Sequence, residues 1–156
     1  LTNVPTVLFV EACQRSEWYS CRWIIEEYHK AQKTGCGIEL PQFTSEGRLE
    51  PMIALLSVTA VELLRLRTAS RQPDAQVKPA REVMPETYVA VLSAWRYGEV
   101  RIDLTVHDFF YALARLGGHQ NRKNDRPPGW LVLWRGWTTL QAMVAGVAVM
   151  EGKRCG

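Results

Sequence analysis

Apolar and polar positions alternate along most of this chain with the period of a helix. Leu1 to Asn3, ahead of Pro5, reads as the tail of a strand ended by a turn. From about Thr6 to Lys33 the pattern is helical, with Gly35 and Gly37 just beyond it as C-cap positions. A polar link, IELPQFTSEG, leads to a second long helix through PMIALLSVTAVELLRLRTAS, which Thr44 or Ser45 is placed to cap. In it Ile53, Leu56, Ala60, Leu63, Leu64 and Arg67 recur at helical spacing, while Arg65 and Arg67 suit the negative pole of its dipole. The stretch RQPDAQVKPAREVMPE has three prolines and few apolar positions and reads as a linker. Three segments follow: a helix through TYVAVLSAW, a second through LTVHDFFYALARLGG, and a last one from about Gly129 to Glu151. Thr105 and Asp108 stand in capping-box spacing, and Gly117 and Gly118 close the middle segment. The pattern therefore predicts a mainly α chain in two parts, hinged at residues 68–85.

The first helix carries the most informative pattern. At about 100° per residue from Cys21, Ile24, Ile25, Tyr28 and Gln32 fall within roughly 60° of that direction and form the predicted buried stripe. Arg22, Lys33, Glu26 and Tyr19 fall at roughly 100°, 120°, 140° and 160°, with Lys30 at the edge near 180° and Trp23 just past it. Four polar side chains thus share one strip away from the apolar stripe.

Composition changes this picture little. The chain has 156 residues, 47% hydrophobic and 22% charged, with a net charge of +3. That is the size of one domain and an ordinary balance for a globular protein, and too little charge to require a nucleic-acid partner. The distribution matters more: Arg122, Lys123, Arg126, Arg135, Lys153 and Arg154 gather after His119, against Asp125 and Glu151. Such an end can meet a phosphate backbone or be a solvated loop. Cys13, Cys21, Cys36 and Cys155 form no C-x-x-C pair and no zinc spacing, and read as small, mostly buried thiols of a reducing compartment. The longest apolar run, AMVAGVAVM, is too short to span a bilayer. No signal peptide is recognisable, and the absence of an initial methionine reads as the start of a fragment.

The strip has a chemical reading. Glu26 is a hard oxygen ligand of the kind Mg²⁺ or Mn²⁺ takes, and such an ion activates water and screens charge developing on a phosphate. Arg22, Lys30 and Lys33 would position a phosphodiester, and Tyr19 would donate to a phosphate oxygen while its ring braces a base. The same spacing also describes a solvated face with one Arg–Glu pair.

Tyr19, Arg22, Glu26 and Lys33, within YSCRWIIEEYHKAQKTGCG, spell Y-x-x-R-x-x-x-E-x-x-x-x-x-x-K. This closely resembles the signature of bacterial cut-and-paste DDE transposases of the insertion-sequence-four group, the Tn-five type. The later stretch ALARLGGHQNRKNDRPPGWLVLWRGWTTLQAM resembles that family's C-terminal dimerisation domain. The likeness is strong over residues 18–67 and 109–143 and weak over 68–104. It implies residues 1–67 as the C-terminal edge of a ribonuclease-H-like catalytic domain, 68–85 as a linker and 86–156 as an all-α dimerisation domain. Glu26 would be the third acid of the catalytic triad and a metal ligand. Tyr19, Arg22 and Lys33, with Lys30 beside them, would contact DNA. The cofactors implied are two Mg²⁺ or Mn²⁺ ions, held only in a complete site. The partners implied are transposon-end DNA, target DNA and a second copy of the chain, in a bacterial cytoplasm and with no membrane. Asp74, Asp103, Asp108 and Asp125 all follow Glu26, so the two earlier aspartates of the triad are not in this sequence and the chain alone is expected not to cut DNA.

The last helix adds a second candidate. Trp130, Trp134, Trp137, Leu140, Val144 and Ala148 recur every three or four residues, and Ala142 and Gly146 are small residues four apart. The stripe fits a core face, and the small pair fits close approach of a second copy. An alternative to the transposase reading is therefore a non-catalytic helical protein, or a transposase remnant, that pairs with full-length copies.

Overall fold

Helices α5 (Val106–Leu116) and α6 (Trp130–Gly152) cross where a glycine stands on each side. A Cβ on Gly117 would sit 1.9 Å from the Val132 carbonyl oxygen, and one on Gly136 would sit 2.1 Å from that of Leu113. The backbones therefore touch, and Phe109, Leu113, Leu133 and Leu140 close the core around the crossing. The computed structural model describes residues 3–42 and 45–152, Glu46 and Glu151 by backbone alone. The expectations placed on Leu1, Thr2, Thr44, Lys153, Arg154 and Cys155 lie outside the described residues.

The remaining helices are α1 (Phe9–Ser20), α2 (Arg22–Lys30), α3 (Glu46–Ala69) and α4 (Glu86–Tyr97), with a π turn over Ala31–Gly35 and a 3₁₀ turn over Ala80–Glu82. Among the described residues no strand forms, only an isolated antiparallel bridge between Pro79 and Thr105. The chain is mainly helical. One buried cluster joins Ala60, Leu63 and Leu66 of α3 to Val89 and Leu92 of α4, to α5 and to Leu133, Trp137 and Leu140 of α6.

Several local rules set these elements. Thr105 caps α5: its hydroxyl oxygen accepts from the Asp108 N–H at 3.1 Å and its O–H donates to the Asp108 carboxylate at 2.9 Å, the expected capping box. Gly98, in the left-handed region at φ 78°, ends α4. Ser93, fully buried on α4, donates to the Ala90 carbonyl and accepts from the Arg101 N–H, both at 2.8 Å, so its hydroxyl has partners. Helix α3 begins at Glu46, five residues before Pro51, where the sequence places its start. Pro51 stands in the second turn on an exposed face, where water can satisfy the carbonyl it leaves without a donor.

Residues 68–85 pack rather than extend. Ala75, Ala80, Val83 and Met84 are buried, and the Ala80 N–H donates to the Leu104 carbonyl at 2.7 Å. The Val106 N–H returns to the Lys78 carbonyl at 2.8 Å, and Arg65 of α3 donates to the Val83 carbonyl at 2.8 Å. Prolines break the helix here, but backbone donors still find partners, so the segment is a run of turns against α5.

The single helix predicted from Thr6 to Lys33 is divided in three. The Ser20 hydroxyl donates to the Glu17 carbonyl at 2.6 Å, and the Cys21 N–H is shared between Glu17 and Trp18 carbonyls at 3.3 and 3.2 Å. A side chain competing for a ladder carbonyl loosens the turn, and the register slips at Cys21. Helix α1 buries none of its residues. The predicted stripe fails at its first half as well: Cys21 is exposed, and Ile24 and Ile25 are 56% and 59% exposed. Ile24 only borders an open groove along Val61, Leu64 and Thr68 of α3, and burial rises at Glu27 and Tyr28 until Ala31 and Gln32 are buried.

The expectation of mostly buried cysteines also needs correction. Cys13 and Cys21 are exposed, and of the described cysteines only Cys36 is buried. Its thiol points at the Leu56 carbonyl, 3.9 Å away, and burial pushes its pKa up to about 11. Iodoacetamide at pH 8 is therefore expected to alkylate Cys13 and Cys21 readily and Cys36 roughly a hundredfold more slowly, as peptide mapping over time would show.

Candidate functional site

The candidate strip starts from the slip at Cys21. Tyr19 lies on α1, two residues before it, and Arg22 and Glu26 lie on α2. Arg22 and Glu26 are hydrogen-bonded as an i, i+4 ion pair, with 49% and 42% of their side-chain surfaces exposed. The guanidinium carbon of Arg22 also stands 5.4 Å from the Tyr19 ring centre and 5.5 Å from that of Trp23. One residue group back along the same ridge, Arg15 stands 4.1 Å from the Trp18 ring. Trp18, Tyr19 and Trp23 are all more than half exposed. Together these rings and guanidiniums form one exposed cationic and aromatic ridge. Rings of this kind stack on bases, and a guanidinium between them is placed to take a phosphate.

The Arg22–Glu26 pair does not hold the site shut. Exposed pairs of this geometry contribute about 0.3–0.5 kcal/mol, whereas a hydrogen bond to a charged group contributes about 1.5–3 kcal/mol. A pair this weak leaves the Arg22 guanidinium open to a competing anion.

The structure does not gather every candidate. Lys33 sits on the π turn beyond the end of α2, and its ammonium pairs with Glu39 at 2.9 Å. Lys30 is exposed at the end of α2. The basic loop is exposed from His119's successor Gln120 to Pro127, and Asp125 accepts from the Arg122 N–H at 2.8 Å. Arg122, Lys123 and Arg126 thus project from a turn that Asp125 folds.

Glu26 lacks the company a divalent ion needs. Its nearest partner is the cation of Arg22, and the neighbouring carboxylate, Glu27, is bonded to Arg67. Among the described residues no three His, Cys, Asp or Glu side chains converge. One carboxylate already paired with an arginine does not fit a two-metal site, and carboxylates from outside the described residues would have to complete it. Incubation of this chain with Mg²⁺ or Mn²⁺ and supercoiled or hairpin DNA is expected to give no nicked product on a denaturing gel.

Sequence reasoning missed the joint that seats this helix. Arg67 of α3, only 16% exposed at its side chain, is hydrogen-bonded to the Glu27 carboxylate and lies 4.4 Å from the ring centre of Trp130. Gln32, buried, donates at 2.9 Å to the Ser57 hydroxyl and at 2.8 Å to that of Tyr28. Gly35 meets Trp130 so closely that a Cβ there would stand 3.4 Å from the Trp130 Cβ. The signal was present: Arg67 recurs in register with the apolar positions of α3, and a charge on a buried stripe needs a partner.

A second feature is the far end of α6. Ala145 to Met150 are exposed although none is polar. With Ala90, Ala94 and Trp95 of α4, the residues Met143, Val147 and Met150 line an open groove of about 960 Å³. Gly146 has nothing within 4 Å of where a Cβ would be. No helix among the described residues is long and apolar enough to cross a membrane. No family model matches the chain.

Proposed function

We propose that this chain is the C-terminal part of a DNA transposase, supplying one catalytic carboxylate, Glu26, a DNA-contacting strip and a pairing helix. What carries the reading is the exposed array of Arg22 between Tyr19 and Trp23, on the helix whose sequence resembles the signature of the Tn-five type. In this reading α2 is the Glu-bearing helix at the edge of a ribonuclease-H-like catalytic domain, and bare Ile24 and Ile25 face that domain. Residues 86–156 are the dimerisation domain. In a complete enzyme Glu26 would have to leave Arg22 and share Mg²⁺ or Mn²⁺ with two aspartates from outside this chain, and such ions would supply an activated water and charge screening for phosphoryl transfer. In this chain Arg22, Tyr19 and Lys30 hold and orient the DNA backbone, and Trp18 and Trp23 present faces to unstacked bases.

A labelled DNA hairpin titrated with the chain tests this. Anisotropy is expected to show micromolar binding that weakens steeply as salt rises, since phosphate contacts release counterions. No change in anisotropy at low salt would end the reading.

The far end of α6 favours a second reading, in which the chain's own activity is pairing. A helix apolar on every side is ordinarily covered on every side, and among the described residues nothing lies within 4 Å of where a Cβ on Gly146 would be. The two readings share the pairing helix and part on DNA: a pairing protein has no use for the Arg22 array.

A further inference from the structure

Arg67 is the least expected polar group in the core region. It sits on α3 one turn after buried Leu63, yet it is held from two other elements, by the Glu27 carboxylate of α2 and by the face of Trp130 at the head of α6. Its Nε is buried with no hydrogen-bond partner. Burial, first, then nearby Arg71 lower its pKa, while Glu27 acts in the opposite direction; an arginine nonetheless stays charged. A charge placed at such a cost needs a reason, and simple core filling does not supply one, because a leucine or methionine would fill the same space without desolvation.

The geometry of α2 supplies the reason. Its first turn is largely exposed, α1 before it has no buried residue, and Ser20 loosens the ladder at Cys21. Helix α2 is therefore anchored by polar partners and buried residues only from its second half onward, and its roll is decided there. Glu27 is the residue next to Glu26, so the direction that Glu27 takes toward Arg67 fixes the direction that Glu26 and Arg22 take toward solvent. The π turn that follows is seated on the same Trp130 through Gly35. We infer that Arg67 is a positioning residue: clamped between Glu27 and Trp130, it sets the roll of α2 and so aims the Arg22–Glu26 strip. Its importance for DNA rests on the transposase reading; its effect on α2 does not.

Amide hydrogen exchange of the full chain tests this, alongside the hairpin titration. In Arg67→Met the amides of residues 24–36 are expected to lose protection by roughly tenfold or more, with residues 89–93 and 109–114 unchanged, since the seat of α2 opens locally. Affinity for the hairpin is expected to fall in parallel, although Arg67 is mostly buried between Glu27 and Trp130. Arg67→Lys, which keeps the charge for Glu27 but not the planar stack on Trp130, is expected to recover part of both. Should Arg67→Met fail to fold, Glu27→Gln removes the same ion pair from the partly exposed side and is read in the same way. Unchanged protection at 24–36, or an equal loss in all three segments, would overturn the inference, the second because it marks a merely structural arginine. If the wild-type chain binds no hairpin, the transposase reading falls and the exchange comparison alone decides the role of Arg67.

Discussion

Gly136→Ala is expected to unfold this protein or to leave it with a melting temperature far below that of the parent. An alanine Cβ at 136 would stand 2.1 Å from the Leu113 carbonyl oxygen and 3.0 Å from its carbonyl carbon. Both are backbone atoms of a helix, so no rotamer change relieves the clash. Relief requires α5 and α6 to separate, and with them Phe109, Leu113, Leu133 and Leu140, all essentially fully buried. Overpacking a core costs about 1–3 kcal/mol where side chains can give, and here backbone must give instead. A loss of at least about 3 kcal/mol is expected, against a total stability of about 5–15 kcal/mol for a domain of this size. Gly117→Ala is expected to do the same from the other side, because its Cβ would meet the Val132 carbonyl oxygen at 1.9 Å. Gly146→Ala is the control. With open space around it, that substitution is expected to raise helix stability by about 0.5–1 kcal/mol. If α6 pairs with a second copy through its small residues, the same substitution weakens self-association in sedimentation while raising the melting temperature. Thermal melts of the three variants at low concentration check the series.

Arg22→Ala is expected to weaken hairpin binding by about tenfold to a hundredfold, the equivalent of one charge-assisted contact of about 1.5–3 kcal/mol. The loss is expected at every DNA sequence tested, with the salt dependence shallower by about one phosphate contact, because a guanidinium reads backbone and not base edges. Its neighbour gives the opposite sign. Glu26→Gln removes the carboxylate that competes for Arg22 and repels phosphate, so it is expected to tighten binding severalfold. Opposite signs at two paired residues four apart are hard to obtain by misfolding. Breaking their exposed ion pair costs either variant only a few tenths of a kcal/mol of stability, so far-ultraviolet circular dichroism is expected to be unchanged for both.

The parts of this architecture that were legible in the sequence are those where local chemistry and tertiary packing agree. Thr105 and Asp108 announce the start of α5, Gly117 and Gly118 its end, and the Trp130–Trp137–Leu140 series the core face of α6. Other features lay beyond periodicity. The slip at Cys21 depends on one serine hydroxyl choosing a ladder carbonyl, and the π turn depends on how Gln32 and Gly35 seat against α3 and α6. Neither leaves a trace in the spacing of apolar residues, so arithmetic at a uniform angle per residue does not show that Lys33 stands on a π turn and pairs with Glu39. Gly136 reads in sequence only as a weak helix former; its necessity appears once Leu113 is seen against it. Of the candidate strip, Tyr19, Arg22 and Glu26 come from spacing, and the same arithmetic puts Arg15 at roughly 120° beside them; that Arg15 stands against the Trp18 ring appears only in the structure.

The central claim is that the Arg22 face of α1 and α2 is where DNA lies, and mapping amide shifts on addition of a hairpin tests it most directly. The account predicts that the largest changes fall on Trp18, Tyr19, Arg22, Trp23, Glu26 and Lys30, with the indole N–H signals of Trp18 and Trp23 moving most. Changes confined to Arg122, Lys123 and Arg126, or none anywhere on α1 and α2, would contradict it.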